Sequence, residues 1–292
     1  MHETKQGILF GILAFAWWGL SPIYFHALEA VPPLEIIAHR VIWSAISLGL
    51  GFLLVKRNEL KVVFEAIKSH WPTLLLASVL LTANWLIYVY AVTSAHVLEA
   101  SLGYFINPLV NVALGYFILK ERLSRVKQVA VGLACFAVLL EIVRFGQLPW
   151  IALSLAGTFG CYGLIRKRAN IGGALGLFIE TLFMLPLAMV YLTYLLATGD
   201  SAFLSGRASM DILLVLAGLV TTLPLIWFIA AAKRLNYSTV GLLQYIGPTL
   251  MGCLGYFVWN EALPPGRGLT FACVWLGLAA IAMVEIKKRP TT

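Results

Sequence analysis

The chain has 292 residues, 61% of them hydrophobic and only 12% charged, whereas soluble proteins carry about a quarter charged residues; a water-soluble globular fold is excluded. The formal net charge of +8 would suit a nucleic-acid binder, but the basic residues stand in short stretches between long apolar runs, which is a membrane-topology pattern. Cys135, Cys161, Cys253 and Cys273 lie within apolar runs with no Cys-x-x-Cys pair, and read as small core residues rather than disulfide partners or metal ligands.

A membrane-crossing helix needs about 20 apolar residues. Ten segments meet that length approximately: 6–27, 34–55, 72–92, 98–119, 128–144, 148–165, 174–197, 212–232, 238–258 and 268–286. The first follows Lys5 as a signal peptide would, but nine more follow it, so it reads as a retained span. Only Phe145 to Gln147 separate the fifth from the sixth. The longest connections, Lys56 to Trp71 and Thr198 to Asp211, read as loops too short to fold independently. With the N-terminus inside, the inner connections hold Lys5, Lys56, Arg57, Lys61, Lys68, Lys120, Arg122, Arg125, Lys127, Arg166, Lys167, Arg168, Lys233, Arg234, Lys287, Lys288 and Arg289. The outer ones hold Arg144, Arg207 and Arg267, and Arg40 alone lies within a span. This 17 to 3 division of basic residues predicts both termini in the cytoplasm.

Leu102 to Leu123, LGYFINPLVNVALGYFILKERL, recurs 140 residues later as Leu242 to Leu263, LLQYIGPTLMGCLGYFVWNEAL. Nine of 22 positions are identical, among them Pro108/Pro248, the Leu-Gly-Tyr-Phe run and Glu121/Glu261. Unrelated apolar helices share Leu, Ile and Val by chance, but not a proline, that run and a glutamate in register. The chain is therefore read as two repeats, 1–147 and 148–292, of five spans each. Five is odd, so the second repeat enters the membrane from the opposite side. The fold class expected is an all-α membrane protein of ten helices in two inverted five-helix repeats. Weaker matches are Leu86-Ile87-Tyr88 with Leu225-Ile226-Trp227 at offset 139, and Trp18-Gly19-Leu20 with Tyr162-Gly163-Leu164 at offset 144.

Ala38 to Ser44 (AHRVIWS), TANWLIYVYAV (82–92), EASLGYFINPLVNVALGYFILKERLSRVKQVAVGLA (99–134) and the Gly-Pro and LGYFVWNE elements of the second repeat resemble the EamA family of drug/metabolite transporters. The Phe-Ile-Asn-Pro-Leu and Asn-Trp-Leu-Ile-Tyr runs are similar to its RarD branch, commonly labelled chloramphenicol-sensitive protein. The resemblance covers essentially the whole chain. It implies two EamA repeats, a bacterial cytoplasmic-membrane location, and movement of small metabolites by alternating access.

Arg40 is the first candidate site residue, because a charge in the hydrocarbon faces a cavity or a partner. It lies roughly 9 Å below the outer edge, and its guanidinium suits a substrate carboxylate. Glu180, at the repeat-equivalent position, lies roughly 9 Å from the inner edge, so the two are not expected to pair. A desolvated carboxylate there suits a proton-coupling group. His39 points about 100° away from Arg40 and reads as packed. Asn84, Trp85 and Tyr88 share one helix face, as do Tyr104, Asn107 and Asn111. Pro108 frees a carbonyl near residue 104 and, with Pro248, is a candidate hinge. Thr221, Thr222, Pro224, Gln244 and Tyr245 reach similar depths in the second half. Trp18, Tyr162 and Trp227 complete the expected substrate cavity with aromatic walls. The competing reading is ordinary interhelical hydrogen bonding. Trp71, Trp150 and Trp259 read as interface anchors, Gly115 and Gly255 as close-packing sites, and Glu121 with Arg125 as a surface pair.

No His-Glu-x-x-His, Gly-x-Ser-x-Gly or Gly-x-x-x-x-Gly-Lys pattern occurs, so neither a zinc or serine hydrolase nor an ATP-driven pump is indicated. A secondary transporter is the expectation, with a passive channel and, behind it, a membrane-embedded enzyme as alternatives. The expected partners are a small-molecule substrate, the lipid bilayer and protons as coupling ion. No cofactor, metal, nucleic acid or obligate protein partner is expected.

Overall fold

The computed structural model describes residues 2–55, 59–120, 125–145, 148–169, 171, 173–235, 240, 243–262 and positions 268–269, 271–273, 275–276 and 279. Among the described residues no strand occurs. The apolar runs become helices because a bilayer offers no water to backbone N–H and C=O groups, and a helix satisfies them within one segment. In order these are α1 (His2–His26), α2 (Pro33–Val55), α3 (Glu59–Thr93), α4 (Val97–Leu119), α5 (Arg125–Phe145), α6 (Trp150–Ala169), α7 (Gly173–Thr198) and α8 (Ala208–Arg234). They are followed by α9 (Ile246–Cys253), which runs on into a π turn, Leu254–Val258. Six of them, α1 to α4, α7 and α8, are long and apolar enough to cross a membrane. Helices α5 and α6 coincide with the fifth and sixth expected spans and have 21 and 20 residues, but are less apolar. Most of the tenth expected span lies outside the described residues, as do Glu121 and Leu123.

Two expectations change. The stretch before Trp71 is not a loop: helix starts at Glu59 and joins the span through a kink at His70 (φ −132°, ψ 18°), two residues before Pro72. Pro72 has no N–H for the Lys68 carbonyl, four residues back, and its ring crowds that carbonyl, which kinks the helix at this point. The ninth expected span is broken, with Gln244 and Tyr245 forming a turn ahead of α9. Pro248 lacks the N–H that would bond the Gln244 carbonyl, four residues back, which accounts for the break. The Pro248 carbonyl accepts a 2.7 Å bond from Ser101 Oγ on α4. Helix α4 itself continues through position 108.

Helix α2 packs between α7 and α8, α6 lies against α3 and α4, and α1 touches α8, α3 and α9. Glycines set the closest approaches. A Cβ on Gly19 would meet the Gly247 carbonyl and Leu250 Cβ at 2.8 Å, and one on Gly218 would collide with the Trp43 backbone. At the end of the bundle holding the start of α2, three glutamates reach across to backbone N–H groups of other segments. Glu35 Oε1 accepts from Ser201 Oγ, Ala202 N and Phe203 N at 2.7, 2.8 and 3.3 Å. Glu99 Oε1 accepts from Ile151 N of α6 at 3.1 Å. Glu261 accepts from Val97 N and Leu98 N, at the start of α4, with one oxygen each at 2.7 Å. A helix's first N–H groups have no partner within the helix, and negative charge there is favourable.

Replacing Glu261 with alanine leaves both α4 donors unmet and should destabilise the fold by about 1–3 kcal/mol, read as a lower thermal unfolding midpoint in detergent. Glu3→Ala, at an exposed position on α1, should leave the midpoint unchanged. Equal midpoints for the two variants would show that the Glu261 contact contributes nothing.

Candidate functional site

Arg40 is 7% exposed and lies among α1, α2, α3 and α8. Its Nε donates to Thr221 Oγ1 at 3.0 Å, and Thr221 passes its own proton to the Ala217 carbonyl at 2.8 Å. Its guanidinium carbon stands 4.4 Å from the centre of the Trp85 ring and 5.1 Å from that of Phe25. Such cation–π contacts are worth about 0.5–2 kcal/mol each. Nη1 is buried and has no partner. Among the described residues no carboxylate comes within ion-pair distance of Arg40. Helix α1 presents Trp18, Ser21 and Phe25 at i, i+3 and i+7, and these bring Tyr88 into place. Tyr88 packs on Phe25 at 5.5 Å and on Tyr104 at 6.0 Å, and its hydroxyl meets Ser21 Oγ at 2.7 Å.

Glu180 is 1% exposed and does not meet Arg40. It pairs with Arg166 Nε at 3.4 Å and accepts from the Tyr162 hydroxyl at 3.1 Å. Arg166 also donates from Nη2 to the Ile171 carbonyl at 3.0 Å. The basic run Arg166-Lys167-Arg168 reads as a loop in sequence, but α6 extends to Ala169 and turns Arg166 into the bundle. The guanidinium fills the space that a side chain at Gly176 would need. Gly176, one turn before Glu180, is the signal that could have disclosed the pair. Between α2, α3 and α7 a slit lined by Val41, Ser78, Thr82, Trp85, Glu180 and Met184 is too tight for water, so Trp85 borders both the Arg40 cluster and the Glu180 side.

Asn84 is committed to packing: Nδ2 donates to the Leu155 carbonyl and Thr158 Oγ1 of α6, both at 3.0 Å. Its Oδ1 lies 3.5 Å from the Tyr104 hydroxyl. Asn107 is fully buried, and neither its Oδ1 nor its Nδ2 has a partner. Tyr245, half-buried in the turn with Gln244, stacks on Phe105 at 6.4 Å and 13°. Two expected cavity residues pack between α1 and α8. Trp18 packs with Phe15 and Phe228 at 5.5 and 5.9 Å, and Trp227 with Trp17 at 5.6 Å, in the seam between α1 and α8. Thr222 bonds the Gly218 carbonyl. His39 is packed, its ring 4.8 Å from Phe203 and its Nδ1 accepting from Trp43 Nε1 at 3.2 Å. Trp71, next to the α3 kink, and Trp150, at the start of α6, are exposed, while Trp259 is half-buried with its ring 5.1 Å from that of His26.

Residues 5–143 match the model of the EamA-like transporter family. The chain is 44% identical over 287 residues to an uncharacterized transporter of Vibrio cholerae serotype O1, covering 98% of this chain and 95% of that protein. It is 42% identical to Protein RarD of Escherichia coli (strain K12), over 97% of this chain and 96% of that protein. The chain belongs to the EamA-like transporter family, in its RarD branch. The chloramphenicol-sensitive protein RarD of Pseudomonas aeruginosa is 31% identical over 95% of this chain and 94% of its own. A solved crystal structure with 18% identity covers 96% of this chain and 98% of its own at a TM-score of 0.61, which is a likeness of fold. With helices fit to cross a membrane and bacterial transporters as relatives, this EamA protein is a bacterial membrane transporter of the drug/metabolite type.

Removing one partner of a buried ion pair costs about 3–5 kcal/mol, because the other is left uncompensated. Arg166→Ala should therefore lower the thermal midpoint sharply, and Arg166→Ala with Glu180→Gln should recover most of the loss. A double variant as unstable as the single one would show that the pair's charge is not what matters.

Proposed function

We propose that the chain is a secondary transporter that moves a small metabolite or drug-like molecule, zwitterionic or amphiphilic and bearing an anionic group, across the cytoplasmic membrane by alternating access, in the export direction. The observation that carries this reading is Arg40: a buried guanidinium with no described carboxylate, held by Thr221, Trp85 and Phe25 with its terminal edge unbonded. A protein keeps an uncompensated charge at membrane depth when function needs it. Tyr88 and Tyr104 wall this site, and Asn107 and Tyr245 extend it along α4 and α9. Glu180 is the proton-coupling group, and Tyr162 and Arg166 regulate it. Gaining a proton weakens the hold on Arg166 and frees the α6–α7 contact.

Alternating access rests on ten spans in two inverted repeats with both termini cytoplasmic. The basic-residue division supports the orientation. Several paired features support the symmetry. Phe105 stacks on its own repeat equivalent, Tyr245, as a residue on a twofold axis does. Lys120 and Asn260, also 140 apart, both take left-handed backbone, φ 54° and 50°. A Cβ on Gly103 would press on Ala152 and Leu155, one on Gly11 on Leu243; a Cβ on Gly160 would meet Val110, one on Gly19 Leu250. These contacts correspond at offsets of 140 and 141, so Gly19 is matched by Gly160 rather than by Gly163, which faces open space. Prolines 108 and 248 then act as equivalent hinges in α4 and α9.

In proteoliposomes, Arg40→Lys should reduce substrate flux despite keeping the charge, because the planar fork is lost, and Arg40→Ala should reduce it further. Glu180→Gln should uncouple the remaining flux from proton movement. Stable Arg40→Ala protein transporting at the parental rate removes Arg40 from the substrate site, and proton-coupled flux in Glu180→Gln removes Glu180 from coupling. For the topology, a reporter fused after Arg289 should be active in its cytoplasmic form only; activity in the periplasm sinks the ten-span parse.

A further inference from the structure

Three candidates stand outside the reading above. Glu35 Oε2 and His39 Nε2 are buried and lack partners one helical turn apart, but Glu35 Oε1 is engaged by Ser201, Ala202 and Phe203 and His39 Nδ1 by Trp43 of the same helix. A hollow of about 350 Å³ lies beside Glu99, Trp259 and Glu261, yet the contacts given for both carboxylates are to helix N-termini. The third, the distribution of charge and hydroxyl protons around Arg40, can be followed further. It rests on the transport reading for the site and deepens it.

Arg40 presents one edge to a ligand. Trp85 and Phe25 lie against the guanidinium and Nε is spent on Thr221. What remains is the terminal edge, Nη1 and Nη2, with no hydrogen bond to a described residue and Nη1 fully buried. Two parallel N–H groups in one plane match the two oxygens of a carboxylate.

The hydroxyls of Ser21, Tyr24, Tyr88 and Thr221 have already given their protons. Ser21 Oγ gives its hydrogen to the Trp18 carbonyl at 2.7 Å, so in the Ser21–Tyr88 contact Tyr88 must be the donor, since each hydroxyl carries one hydrogen. Tyr24 gives its proton to the Leu213 carbonyl at 2.6 Å, and Tyr104 points its own at Asn84. The anion is therefore held by Arg40, and these four hydroxyls add no donor to it. For a substrate ammonium the site is adverse. Of the charges buried in the described spans, Glu35 is bonded to Ser201, Ala202 and Phe203 at the start of α2, and Arg166 and Glu180 cancel each other, which leaves Arg40. An ammonium brought in beside Arg40 would meet like charge and no free carboxylate, and would lose its hydration uncompensated. The apolar faces of Phe25, Tyr88 and Tyr104 instead suit an uncharged ring or chain.

We infer that the substrate class is organic monocarboxylates with an apolar, uncharged body, in preference to zwitterions and to neutral amides: the carboxylate neutralises Arg40, and the body lies along the aromatic wall.

The test uses purified full-length protein and three ligands with one body: 3-phenylpropanoate, 3-phenylpropanamide and phenylalanine. Affinity is read by calorimetry and thermal stabilisation, and counter-flow is read separately in proteoliposomes. The carboxylate should bind about 10- to 100-fold more tightly than the amide or the zwitterion, the range expected for hydrogen bonds to a charged group. Arg40→Gln should abolish that preference. The wild-type ranking stands even if that variant fails to fold. Equal or tighter binding of the amide or the zwitterion overturns the inference. So does a preference that survives in Arg40→Gln, or absence of binding by 3-phenylpropanoate and by octanoate. Preferential binding without counter-flow would instead sink the transport reading and leave the ligand class standing. Counter-flow of the amide at the carboxylate's rate would do the reverse.

Discussion

No water reaches the middle of a bilayer, so every backbone N–H and C=O buried there must find a partner in the protein, and this constraint shapes the chain at each irregularity. Unbroken runs such as α2 and α7 meet it by being helices. Where Pro248 takes a donor away, the chain turns at Gln244 and Tyr245, and a hydroxyl from the neighbouring helix, that of Ser101, bonds the proline's carbonyl. Where α4 begins, Glu261 arrives from 164 and 163 residues away to accept its first two N–H groups. Glu99 does the same for α6 and Glu35 for the loop ahead of α8. These glutamates are the joints by which distant segments are fastened at one end of the bundle.

The same scarcity of water governs the two charged clusters. Glu180 and Arg166 answer each other, with Tyr162 and the Ile171 carbonyl supplying further bonds; the low-dielectric cost is offset within the protein. Arg40 is given only partial compensation, two aromatic faces and one threonine. The contrast is one of chemistry: one cluster is a closed ion pair, the other leaves the terminal edge of a guanidinium unbonded. Trp85 borders both.

Several features were legible in the residues themselves. Apart from the early start of α3 and the break in the ninth span, the apolar runs located the described helices to within a few residues, because a bilayer selects spans by length and hydropathy. The Phe-Ile-Asn-Pro-Leu and Asn-Trp-Leu-Ile-Tyr runs identified the family. Arg40 stood out because any charge inside such a run must be explained. Asn84 was singled out for the same reason, but its bonds to Leu155 and Thr158 make it a brace between α3 and α6. Trp18 and Trp227 were chosen for aromaticity alone, and aromatics pack equally well in a helix seam.

Sequence by itself thus determined what local chemistry dictates: an all-helical membrane chain, its family, and the presence of unpaired polar groups at depth. Only the tertiary structure decided which partner each group received. Arg166 looks like one of three loop cations until Gly176 makes room for it beside Glu180. Glu261 looks like a surface acid until the start of α4 comes to meet it. Pro108 and Pro248 are identical in sequence, yet α4 runs on while the second-half helix breaks. In each case the outcome depends on residues tens to hundreds of positions away, and hydrogen bonds and ion pairs of this range are set by how helices pack rather than by any local pattern.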